Sequence, residues 1–444
     1  MDKQKQLILK GNLPNVMWQM SWPAIIAMVL FGLNNFLDGV FVGHLINDTA
    51  LAAVGIAFPL AQIGQAIGSL IGTGAGAAIS IWIGADDQSN LARCLGSVNF
   101  LSILFSVAFM LPAYIFADEL IYLMGGRGEI AILASQYYKV ILLGTFFWVH
   151  GLALNMMIRA EGKMKTAAIM IAIGLIIDIV LKPIFISTLG GGVVGAAWAT
   201  NVSMIVYTIL GIGYYHFSKS SFKTDVWSFF NDKQITRLII KLGMPAMIMM
   251  VMVVIQNIVI FNALSKYGTD SDITFFTAVN RFYLLLCTPM FGLMRALQPV
   301  AGMNYGVQNY VRTKRSYVLF TWTGAGLLLP FWCLVMFFPQ DVLSLMIPNQ
   351  LFSIDQLINF RVYMSVLLVL PAIFMGMVWF PSVENARPAS LVALFRQLVL
   401  YVPIMLVVPR IFGINGIYWA SALIDWAIFI VVIFVLRRSF KMLV

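Results

Sequence analysis

The chain has 444 residues, of which 61% are hydrophobic and only 10% charged, with a formal net charge of +10 and a mean hydropathy of +0.91. That composition excludes an ordinary soluble enzyme or binding module and places the chain in a bilayer. The basic excess sits in short connections between apolar runs, which argues against nucleic acid as a partner. The three scattered cysteines, Cys94, Cys287 and Cys333, form neither a disulfide framework nor a metal motif.

Taken in order, the chain begins with a short basic lead-in carrying Lys3, Lys5 and Lys10 and no signal-cleavage pattern. Twelve runs able to cross about 30 Å of hydrocarbon follow. Their cores are residues 17–42, 51–83, 94–116, 131–157, 166–188, 193–217, 238–264, 273–303, 316–338, 357–380, 389–409 and 416–436. Nearly all lysines and arginines of the connections fall on one alternate set, with only Arg127, Lys266, Arg361 and Arg410 on the other. The positive-inside rule therefore predicts that both termini are cytoplasmic, in a multi-pass protein of the cell inner membrane.

The segment 218–237 divides two repeats, residues 1–217 and 238–444. Ser21-Trp22-Pro23-Ala24 returns as Gly243-Met244-Pro245-Ala246, and Ile83-Gly84 as Tyr305-Gly306. Gly192–Thr200 (G-V-V-G-A-A-W-A-T) returns as Gly413–Ser421 (G-I-N-G-I-Y-W-A-S) at almost the same spacing. Each half holds six spans, an even number, so the second half enters the membrane in the same sense as the first. The fold class expected is an all-α polytopic membrane protein. Its twelve transmembrane helices form two parallel-related six-helix lobes around a central cavity, suited to alternating access.

Ionisable residues inside apolar runs are expensive and mark working sites or locks between helices. They are Asp38, Lys139, Asp178, Lys182, Arg281, Arg295, Arg396 and Asp425, with His150 beside them. Asp178 and Lys182 stand at i and i+4, so a helix brings them together, and Pro183 then breaks or kinks it. Asn34, Asn35, Gln256 and Asn257 add polarity to the first and seventh spans. With His150, Arg281, Arg295 and Arg396 they are the candidate cavity residues. Gly72-Thr73-Gly74-Ala75-Gly76 lacks the Lys-Ser/Thr of a phosphate loop and predicts close helix packing instead. No nucleophile–base, metal or cofactor motif is present, so neither an enzyme nor a cofactor is expected.

Several stretches resemble the multidrug and toxic compound extrusion family of the multidrug/oligosaccharidyl-lipid/polysaccharide exporter superfamily. They are Asn35–His44 (N-F-L-D-G-V-F-V-G-H), Arg159-Ala160-Glu161-Gly162, Lys182-Pro183-Ile184-Phe185-Ile186, Gln298–Gly306 (Q-P-V-A-G-M-N-Y-G) and Gly413-Ile414-Asn415-Gly416-Ile417. The resemblance covers essentially the whole chain. It implies two six-helix lobes, V-shaped around a cavity, exporting compounds against Na⁺ or H⁺. In members coupling through the first lobe, a first-helix Asp joins a fifth-helix Asn-x-x-x-Asp-Pro motif and a sixth-helix Thr. Asp38 and Thr200 match the Asp and the Thr. At the fifth helix this sequence departs, with Asp178 where the family has Asn and Lys182 where it has Asp.

An ammonium at Lys182 takes the place a metal ion would fill, which favours H⁺ over Na⁺ as coupling ion. The function expected is therefore a secondary antiporter exporting amphipathic small molecules, acting as a monomer among membrane lipids. The 26 methionines suit an adaptable cavity. The alternative is a flippase for a lipid-linked oligosaccharide or another phosphate-bearing amphiphile, which the span cations Lys139, Lys182 and Arg295 would serve. Counting Lys139, Lys182, Arg281, Arg295 and Arg396 against Asp38, Asp178 and Asp425 predicts a cavity that is positive or balanced rather than a cation trap.

Overall fold

A computed structural model describes residues 3–217, 220–346 and 352–443; the side chains of Asn35, Phe36 and Asp270 also lie outside the described set. The described residues fold into helices in the order α1 (Lys3–Lys10), α2 (Leu13–Leu45), α3 (Asp48–Ala85), α4 (Gln88–Ile115), α5 (Ala117–Leu123), α6 (Gly128–Leu143), α7 (Thr145–Ala160), α8 (Met164–Pro183) and α9 (Gly192–His216). The chain continues with α10 (Lys233–Tyr267), α11 (Asp270–Gly306), α12 (Tyr310–Phe337), α13 (Pro339–Met346), α14 (Ile354–Met364), α15 (Leu370–Ser382), α16 (Ala386–Leu394) and α17 (Val402–Met442).

Nine of these stretches are long and apolar enough to span a membrane, and two bent pairs, α6–α7 at 52° and α14–α15 at 40°, make eleven among the described residues. Gly413, at φ 57° and ψ −146°, breaks the continuous run 386–442 and supplies the twelfth. That left-handed φ is open to glycine without a Cβ clash. The twelve-span fold class is thus the observed one.

The breaks have local causes. Pro183 lacks an N–H, and the helix widens there into a π-turn over Ile184–Thr188. A second π-turn, Phe395–Tyr401, joins α16 to α17. At the α6–α7 bend, Asn201 Nδ2 on α9 donates to the carbonyl of Val140 at 2.6 Å. A neighbouring side chain thus satisfies a group that hydrocarbon cannot. Outward faces are apolar, as lipid contact requires: Ile103, Leu104, Val107 and Leu111 on α4 are all exposed.

The two halves meet along glycine-notched seams. A Cβ added to Gly74 on α3 would collide with the Ile239 carbonyl of α10, and one on Gly243 of α10 with the Leu70 carbonyl of α3. Gly84 and Gly306 repeat the arrangement between α3 and α11. Gln298 Nε2 of α11 crosses the seam to the Thr73 carbonyl at 2.9 Å. Along α3 burial is nearly continuous from Ala66 to Gly84, whereas Leu51 and Phe58 nearer its start are exposed. The halves are therefore packed together at the lysine- and arginine-rich end. Gly243→Val is expected to prise the shut end apart. In a background without native cysteines, a cysteine at Ser80, buried on that seam, should then label much faster with a polar maleimide. Unchanged labelling would show that this contact is not what closes the end.

Short ties reinforce the shut end. Lys5 of α1 pairs with Asp86, just after α3, at 2.7 Å. Arg312 of α12 donates to the carbonyls of Ile8 and Gly11 at 2.9 and 2.6 Å, so α1 touches both halves. Glu161, between α7 and α8, accepts from Tyr214, Tyr215, Ser220 and the Ser221 amide at 2.7–3.2 Å, anchoring the connection that follows α9. Burial pushes its carboxyl above the usual range against the pull of those donors.

Candidate functional site

The fold draws Asp38 and Lys182, 144 positions apart, into contact. Lys182 Nζ donates to a carboxylate oxygen of Asp38 on α2 and to Asp178 Oδ2, one turn back on α8, at 2.6 Å. Thr200 Oγ1 on α9 donates to Asp178 Oδ1 at 3.2 Å, and Asn34 Nδ2 on α2 to Asp178 Oδ2 at 3.2 Å. Tyr137 on α6 lies within electrostatic range of both acids. The two acids differ in one respect that matters: the Asp38 side chain is 32% exposed and that of Asp178 only 3%. One acid is part-exposed and the other buried, bridged by a buried ammonium. With both acids ionised the cluster carries net −1, and one proton neutralises it. Neutralisation also removes a strand of the bridge between α2 and α8, since Asp38 is the only one of the three on α2.

The second half builds its own polar site at different positions. Arg396, in the π-turn after α16, pairs with Asp425 of α17 at 2.7 Å. Gln397 Nε2 donates to Gln256 Oε1 of α10 at 2.7 Å, and Tyr401 and Ser421 share a hydrogen bond of 3.0 Å. These groups form one wall of a cavity of about 180 Å³, with Asn257, Asn280, Tyr283 and Tyr363. Met249, Met252, Phe291, Phe374 and Met377 supply an apolar lining. A neutral ion pair, phenols and amides facing thioethers and rings suit a flat amphipathic guest.

A model of the family described as MatE matches residues 23–184 and again 245–407. The chain belongs to the MatE family. It is 25% identical over 428 residues to the multidrug export protein MepA of Staphylococcus aureus (strain MRSA252), covering 94% of this chain and 92% of that one. Among solved structures, MATE in the bent conformation superposes with a TM-score of 0.92 at 27% identity, covering 100% of this chain and 98% of that one. An outward-facing multidrug resistance MATE family transporter of the MOP superfamily gives 0.91 at 27% identity, covering 100% and 99%. This MatE protein is accordingly a membrane transporter and not an enzyme.

Of the residues singled out in the sequence of this MatE protein, the structure gathers Asp38, Asp178, Lys182, Thr200 and Asn34 in one cluster. It sets Gln256, Asn257 and Arg396 around the second-half cavity. Others go elsewhere. His150 is a packing residue and not a cavity group: it is buried, 3.3 Å from Ser102 Oγ and stacked on Phe146. Lys139 pairs at 2.9 Å with Asp118 of the short helix α5, outside the spans, so it is not a cavity cation. Arg281 is exposed and does not line that cavity. Arg295 lies on the seam between the halves. The Asn35 side chain falls outside the described residues.

Sequence reasoning missed Tyr137, Asn280, Tyr283, Tyr363, Gln397 and Tyr401. A signal existed for two of them, because Gln397 adjoins Arg396 and Asn280 adjoins Arg281, each inside an apolar run. The tyrosines look like any other interfacial or core aromatics in a sequence.

Proposed function

We propose that this MatE protein is a secondary antiporter that exports amphipathic small molecules across the cytoplasmic membrane by alternating access, with H⁺ as the coupling ion. The observation that carries the reading is the Lys182 ammonium held between Asp38 and Asp178. A fixed cation there leaves no place for Na⁺, while a proton on one acid converts the cluster from net −1 to neutral. Asp38 is the exchange point, being the more exposed of the two acids. Its protonation weakens the tie between α2 and α8, leaving the Asn34–Asp178 hydrogen bond; its deprotonation restores it. Export of drugs by the similar staphylococcal protein supports the substrate class.

The same reading divides the chain into a first lobe, residues 1–217, a connection at 218–237 and a second lobe, 238–444. Both termini and the shut end then face the cytoplasm, because the lysines and arginines of the connections gather there. A shut cytoplasmic end is what this reading expects of the state open to the outside.

The test is flux of a fluorescent drug in proteoliposomes under separate ΔpH and Na⁺ gradients. Wild type is expected to respond to ΔpH alone, and Asp38→Asn to lose that response while still binding drug. Full ΔpH-driven activity of Asp38→Asn, or strict Na⁺ dependence of the wild type, would sink the proposal.

A further inference from the structure

Two arginines at the shut end have no counter-ion among the described residues. Arg159, in the last turn of α7, is 5% exposed, and its Nη2 is buried without a hydrogen-bond partner. Arg295, on α11 in the other half, is partly buried and has no ion pair or hydrogen bond among the described residues. The acid nearest in sequence, Glu161, accepts from Tyr214, Tyr215, Ser220 and Ser221 and pairs with Lys163 at 3.7 Å.

Packing brings the helices that carry the two arginines together. Gly76 of α3 sits where α7 and α11 converge: a Cβ there would lie 3.2 Å from Gln298 Nε2, 3.3 Å from the Met156 carbonyl and 3.5 Å from Ala160 Cβ. Gln298 is one turn from Arg295, and Met156 and Ala160 flank Arg159 on α7. The two arginines feel each other's charge, and both feel Tyr207 of α9.

A buried charge costs several kcal/mol unless paired, and here two like charges from opposite halves stand on converging helices with no ion pair among the described residues. We propose that Arg159 and Arg295 form the binding site for an anionic group, the sulfonate, phosphate or carboxylate of an exported amphiphile, in the state open at this end. When the halves part there, each guanidinium gains access to the cleft and the pair converges on one oxyanion, with the Tyr207 hydroxyl as a neutral donor. Closing squeezes the cations together and leaves no room for the anion, which is passed outward. Arg suits the task because its planar fork binds an oxyanion through two parallel hydrogen bonds. This rests on the exporter reading above and names a substrate class for it.

The experiment uses two dyes with one aromatic body, one bearing a sulfonate and the other a quaternary ammonium, in proteoliposome export assays with the full chain. Wild type is expected to export both. Arg295→Gln, at the less buried position, is expected to lose sulfonate export by about tenfold to a hundredfold, the scale of a lost charged hydrogen bond. It should keep ammonium export, and Arg295→Lys should recover part of the loss. Arg159→Lys, which keeps the charge without the fork, should weaken the sulfonate dye alone. Equal loss of both dyes would mean that the arginines only set the balance of the gate, and would overturn the proposal. So would undiminished sulfonate export by Arg295→Gln, or a wild type that exports only the ammonium dye. Export of neither dye by the wild type would overturn the exporter reading as well.

Discussion

Lys182→Ala is expected to lower thermal stability sharply in Na⁺-free buffer at neutral pH, and to regain much of it in acid or in Na⁺. The wild-type ammonium donates to Asp38 and Asp178 at once and is 2% exposed. Removing one partner of a buried pair costs about 3–5 kcal/mol, because a charge is left without compensation. Here two carboxylates are left facing each other, retaining only Thr200 and Asn34 as donors to Asp178. Protonation relieves the repulsion, so stability should rise as pH falls, opposite to the usual acid lability of a carboxylate-rich protein. Na⁺ relieves it in another way, since the vacated position is ringed by the oxygens of Asp38, Asp178 and Thr200. The measurement is a melting curve across pH, with and without Na⁺, for variant and wild type. A loss independent of both pH and Na⁺ would show that Lys182 acts as packing and not as a counter-ion.

Splitting the second-half ion pair should give an asymmetric result. Arg396→Met leaves Asp425, 6% exposed, as a buried anion with no cation, at a cost of about 3–5 kcal/mol. Asp425→Leu leaves Arg396, whose side chain is 21% exposed. It already reaches Gln256 at 3.5 Å and can turn toward water, so that variant should lose distinctly less. The double variant should be more stable than Arg396→Met alone, since no charge is then stranded. Drug affinity should follow a different order. Both single variants give the 180 Å³ cavity a net charge, and the double variant keeps it neutral. Equal destabilisation by the two single changes, with simple additivity in the double, would mean that the pair is not energetically coupled.

Alternating charge along the connections and spans of apolar residues are local properties, so the sequence by itself determined the membrane class, the twelve spans and the two repeats. The contact of Asp178 with Lys182 was equally local: four residues on a helix put both on one face. Pro183 announced the break at the residue where the helix changes its winding. The glycines of Gly72–Gly76 announced close packing, which Gly74 and Gly76 now show against α10 and α11.

Only the tertiary structure decided which way the remaining charged side chains point. Spans that are apolar on every side carry almost no signal of their inward face. Arg281 and Arg295 therefore looked alike in sequence, yet one is exposed and the other lies on the seam between the halves. Lys139 looked like a cavity cation until Asp118, 21 positions earlier and beyond the preceding span, was seen beside it. Asp425 and Arg396, 29 positions apart, became a pair only when α17 folded back beside the π-turn. The physical reason is common to all three. In hydrocarbon a charge takes its energy from its partner, and the partner is chosen by helix packing between distant parts of the chain.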